Sequence, residues 1–88
     1  MRVRCIKLQE QGIEFFVALV KEPVVEETEY AQRTVANYES VLRGPVVLCG
    51  DLSGKYFGRP DLAHFVARTI DPRRIRWGTY EIDPDAAA

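Results

Sequence analysis

No stretch of this sequence stays apolar long enough to cross a bilayer. The longest such run is Phe15–Val20, far below the roughly 20 residues that a membrane helix requires. The first residues, Met1-Arg2-Val3-Arg4-Cys5-Ile6-Lys7, put a charge at Lys7 where the apolar core of an export signal would run, so a cytoplasmic location is expected. Cysteine is scarce: Cys5 and Cys49 have neither zinc-ligand spacing nor the count of a disulfide framework. Both sit in apolar, strand-like runs, where a reduced thiol acts as a small hydrophobe. No metal or cofactor is expected. Histidine is scarcer still. His64 stands alone beside an apolar helical stripe, with no Ser or Cys partner near it in sequence for acid–base or nucleophilic work. Net charge is almost absent, with 12 Lys and Arg against 13 Asp and Glu. That excludes the strongly basic composition of a dedicated nucleic-acid binder.

What is present is a foldable chain of 88 residues, 47% of them hydrophobic and 10% aromatic. This is room for one modest core and too much apolar surface for intrinsic disorder. The balanced charge hides a pattern along the chain. Residues 1–9 hold Arg2, Arg4 and Lys7 and no acid, and residues 10–39 hold seven Glu against two cations. Residues 40–76 hold seven cations against Asp51, Asp61 and Asp71, and the last twelve residues are acidic again. Segregation along the chain can become segregation by face once the chain folds.

The hydrophobic periodicity reads as β-β-α-β-α-β. Val3–Leu8 is a strand, and Gln9–Gly12 is a turn in which Gly12 can supply a positive φ. Ile13–Lys21 follows, apolar on both faces as a central strand is, before Pro23. Glu26–Arg43 is a helix with Ala31, Val35, Tyr38 and Leu42 in its stripe, widened by Tyr30, Thr34 and Val41. Gly44 and Pro45 stop it. Val46–Cys49 is a second apolar strand, Gly50–Gly58 a loop, and Pro60 opens a second helix that runs to about Ile70. Ile75–Ile82 is an edge strand, and residues 83–88 read as a disordered tail, which leaves 1–82 as one α/β domain. The expected fold is a four-stranded mixed sheet with two helices, parallel where a helix connects two strands, and with the first strand antiparallel at an edge. Two helices cover both faces of such a sheet only from opposite sides. If they share a side, a second copy of the chain must cover the other face, which makes a homodimer the expected partner.

One segment has the composition of a site. Ligands of open parallel sheets lie beyond the carboxyl ends of strands. There the chain reads Cys49-Gly50-Asp51-Leu52-Ser53-Gly54-Lys55-Tyr56-Phe57-Gly58-Arg59, glycine-rich, cationic and leading toward a helix. Gly50–Lys55 falls one residue short of the phosphate-binding pattern G-x-x-x-x-G-K-[ST], with Tyr56 where a Mg²⁺-holding hydroxyl belongs. Cys49 and Lys55 have the spacing of the cysteine-phosphatase and rhodanese-like loop, but Lys lacks the bidentate fork of Arg and Asp51 repels an anion. The candidate ligand-binding residues are Asp51, Ser53, Lys55, Tyr56, Arg59 and His64. The plain alternative is a solvated connection with Tyr56 and Phe57 packed on a helix and Lys55 and Arg59 as surface charges. Arg68, Arg73, Arg74 and Arg76 beside Trp77 have the composition of a nucleic-acid patch, which the acidic balance disfavours. The function expected is therefore a non-catalytic interaction or ligand-binding module that self-associates. An enzyme or binder of a small phosphate-like anion at residues 49–59 is the alternative, and nucleic-acid binding through the arginines is the second.

Overall fold

A computed structural model describes residues 2–81. The order of elements is β1 (Arg2–Glu10), β2 (Ile13–Val20), α1 (Glu22–Glu26), α2 (Thr28–Leu42), β3 (Val46–Gly50), β4 (Tyr56–Phe57), α3 (Pro60–Thr69) and β5 (Gly78–Glu81). The expected tail at 83–88 and the end of the last strand at Ile82 lie outside the described residues.

β1 and β2 form a hairpin closed at Glu10↔Ile13. Its two turn residues, Gln11 and Gly12, have φ of 50° and 80°. Two successive left-handed residues match the right-handed twist of the strands they join. β2 then runs parallel to β3, from Phe16↔Val46 to Val20↔Gly50, through a connection that contains α1 and α2. The apolar-on-both-faces composition of these two strands has its cause here, because each is covered on both sides. Ala18, Val20, Val46 and Leu48 face Val25, Ala31, Val35 and Tyr38 of α1 and α2. Phe15, Val17, Val47 and Cys49 face Leu62 and Val66 of α3, with Phe65 and Trp77 beside them. Of the expected α2 stripe, Tyr30 is exposed. α2 ends at Leu42 and is capped by Arg43, which takes the left-handed conformation (φ 59°) one residue ahead of the expected stop at Gly44 and bonds its N–H to the Glu39 carbonyl.

The sheet has five strands in the order β4-β3-β2-β1-β5. Three features differ from expectation. The fifth strand is β4, inside the expected Gly50–Gly58 loop, where Leu48↔Phe57 and Cys49↔Tyr56 pair antiparallel. A strand of two residues has no periodicity to detect. The third helix is α1, five residues carrying Pro23 near its start, where Pro is tolerated because its missing N–H has no helical partner anyway. Finally, β1 is not an edge over Arg2–Cys5. β5 pairs with it antiparallel from Arg2↔Glu81 to Cys5↔Gly78.

The helices lie on opposite faces, so the chain itself covers both sides of its sheet. The need for a second copy to cover an apolar face is thereby met within one chain. The charge pattern carries over to the faces in part, with Arg33 and Arg43 on the α2 side and Asp61 and Asp71 on the α3 side as exceptions. Glu26, Glu27 and Glu29 sit on the side of α1 and α2, whereas Arg59, Arg68 and the 71–77 segment sit on the side of α3.

Candidate functional site

The chain leaves β3 at Gly50 and returns at once as β4, so residues 50–55 form a hairpin turn rather than a lead into a helix. Gly50 N–H bonds the Lys55 carbonyl at 2.9 Å, and Gly54 N–H bonds the Gly50 carbonyl at 3.1 Å. Gly54 has φ of 70°, a region that glycine enters without steric cost. The turn is tied to the start of α1. Glu22 N–H donates to Asp51 Oδ1 at 3.0 Å. In return the Glu22 carboxylate accepts from Leu52 N–H at 3.2 Å, from Ser53 N–H at 3.0 Å and from the Ser53 hydroxyl. Ser53 Oγ also accepts the Lys55 N–H at 3.1 Å. The hydrogen bonds from Ser53 hold the Glu22 carboxyl below its ordinary range, aided by Leu52 N–H and the Lys55 charge. Gly50 is what lets Glu22 approach: a Cβ there would lie 2.5 Å from Glu22 Oε1 and 2.9 Å from Val25 Cγ2.

The turn therefore does bind an anion through backbone N–H groups, and that anion is the protein's own Glu22. Nothing in the Gly50–Lys55 spacing could announce this, because the carboxylate arrives from 31 residues away.

Four of the six candidate residues fall into two groups, and Lys55 and Arg59 belong to neither. Asp51 and Ser53 line a cleft of about 520 Å³ with Arg4, Leu19, Leu52, Pro72, Arg73, Ile75 and Trp77. Tyr56 and His64 line a separate, shallow groove between β4 and α3. Lys55 is exposed on the turn and lines neither. Arg59 is ion-paired to Asp61 at 2.9 Å on the surface at the start of α3, a contact of little energetic weight. The arginine cluster is dispersed as well. Arg73 lines the cleft, Arg68 lines a different depression beside Glu10 and Asp61, and Arg74 lies 3.6 Å from Asp71.

Cys49 is fully buried in the α3-side core. Its thiol donates to the Gly50 carbonyl at 3.7 Å. Burial pushes it up to about 11, which keeps it protonated and non-nucleophilic at neutral pH. Burial likewise raises Tyr56 to about 12, with Cys49 adding to the shift. The Tyr56 hydroxyl lies 3.4 Å from the Ile70 carbonyl. Cys5 and Cys49 are both free thiols.

Much of the cleft lies outside residues 49–59, Arg4 and Trp77 among it. Arg4 comes from β1 and faces the α3 side because Val3 and Cys5 take the opposite side. The alternation of Arg2 and Arg4 with Val3 and Cys5 was the only available signal, and it does not say which strand ends adjoin. No family model, curated protein or solved structure matches this chain. Among the described residues no helix is long and apolar enough to cross a membrane.

Proposed function

We propose that this protein is a small cytoplasmic binding module that does no chemistry on its ligand and associates with a second copy of itself. One observation carries the non-catalytic reading. The backbone donors that a phosphate-processing loop would aim at substrate hold Glu22 instead. The protonated, buried Cys49 points the same way, because a nucleophile must be ionised and reachable. The free thiols suit a reducing compartment. The binding site is the cleft between the Gly50–Gly54 turn and the Asp71–Trp77 segment, of a size that small-molecule sites commonly have. Self-association uses the sheet edge. β5 covers β1 only as far as Cys5, so among the described residues Ile6–Glu10 pair on one side alone, and such edges recruit further strands.

Amide-resolved NMR with a panel of small polar metabolites tests the site. Shifts are expected at Gly50–Gly54 and Asp71–Trp77; saturable shifts confined to the Tyr56–His64 groove would overturn this assignment. Sedimentation at micromolar concentration tests association. A dimer is expected, and a monomer at every salt concentration overturns that part.

A further inference from the structure

The cleft presents charges of both signs beside an apolar wall. Arg4 and Arg73 line it, and among the described residues neither guanidinium has an ion pair or hydrogen bond. Asp71 is spent on its own turn, accepting the Arg73 N–H at 3.0 Å and lying beside Arg74. Asp51 gives only Oδ1 to Glu22 N–H, which leaves Oδ2 as an acceptor. Arg4, Leu19 and Asp51 also border an adjoining depression, so Arg4 and Asp51 stand on the same ridge without forming an ion pair. The apolar wall is Trp77, Ile75, Leu19 and Pro72. A simple anion would meet Asp51, and a simple cation would meet Arg4 and Arg73.

We propose that this cleft binds a zwitterion with an apolar side chain, an aromatic or branched α-amino acid, with Arg4 and Arg73 on its carboxylate, Asp51 on its ammonium and Trp77 against its side chain. The inference rests on the cleft being the binding site. Guanidiniums take a carboxylate through paired N–H donors. A carboxylate with a free oxygen takes an ammonium, and the indole offers a face for the side chain.

Trp77 is the only tryptophan in the sequence, so all tryptophan emission comes from a residue of the cleft wall. The probes are L-phenylalanine, 3-phenylpropionate, which lacks the ammonium, and phenethylamine, which lacks the carboxylate. Saturable perturbation by L-phenylalanine is expected, with about tenfold or greater weakening for each truncated probe. Asp51→Asn keeps an acceptor for Glu22 N–H and is expected to abolish the preference over 3-phenylpropionate while circular dichroism stays unchanged. Arg4→Gln or Arg73→Gln is expected to abolish the preference over phenethylamine. Equal or tighter binding of 3-phenylpropionate or of phenethylamine overturns the zwitterion and leaves the cleft as the site. The absence of saturable perturbation by any of the three overturns the zwitterion. The NMR panel described for the site then decides independently whether the cleft binds at all.

Discussion

Ser53 gives both of its donors to Glu22. Its N–H reaches Oε1 at 3.0 Å and its hydroxyl reaches Oε2. This pair joins the turn after β3 to the first turn of α1, and it occupies the donors that a phosphate-binding loop would keep for a ligand. Its removal is the most direct probe of how the cleft rim is held.

Glu22→Ala, or Gly50→Ala through the clash of its new Cβ with Glu22 and Val25, is expected to speed hydrogen exchange at the Leu52 and Ser53 amides while the β1–β2 amides stay protected. Exchange that stays slow at both amides in both variants would show that the carboxylate does not hold the turn. Acid acts on the same contact. Because the folded-state carboxyl titrates below its ordinary 4.5, its contribution is present above that pH and is lost as pH falls through the lowered folded value. Exchange at Leu52 and Ser53, corrected for its intrinsic pH dependence, is expected to rise only in that acid range.

Alkali acts on Cys49 and Tyr56. Each binds its proton more tightly in the folded state than in the unfolded chain, so their contribution to stability is complete below the unfolded values and lost as pH rises. The windows run from 9.0 to about 11 for Cys49 and from 10.0 to about 12 for Tyr56. Thermal scans are expected to show a melting temperature that falls from about pH 9 upward in the wild type. Cys49→Ala is expected to flatten the first part of that fall. At pH 8 a thiol reagent is expected to modify Cys49 only after denaturant is added, and fast labelling of the native protein would revive the nucleophile.

Leu48 and Leu52 lie four residues apart and differ completely in exposure, 0% against 79%. Leu48→Ala empties the core beneath α1 and α2 and is expected to cost about 2–5 kcal/mol in denaturant titrations. Leu52→Ala is expected to stay within about 0.5 kcal/mol. A comparable loss for both would mean that Leu52 is covered in solution.

Arg43 holds a left-handed conformation at the end of α2, where a side chain is strained and glycine is not. Arg43→Gly is expected to stabilise the protein by about 0.5–1 kcal/mol, read as a higher denaturation midpoint with an unchanged slope.

Much of this fold was legible from local rules. The α2 stripe of Ala31, Val35 and Tyr38, the doubly apolar strands at Phe15–Val20 and Val46–Cys49, and the turn at Gly12 all fall where periodicity and glycine chemistry place them. β4 and α1 escaped because two and five residues are too few to show a period. Of the candidate site, Asp51 and Ser53 reach the cleft. Arg4 and Trp77 escaped because they come from parts of the chain far from the glycine-rich segment.

By itself, the sequence determined the four longer strands and the two longer helices, that β2 and β3 need cover on both faces, and that charge is divided along the chain. These are properties of side-chain spacing and backbone dihedral limits within one turn or one strand. Tertiary structure alone decided that α2 and α3 take opposite faces, that β5 closes beside β1, and that Glu22 fills the turn after β3. Each of these joins groups tens of residues apart. Which groups meet across such distances depends on strand order and on the packing that closes the intervening chain, and neither is written in a local pattern.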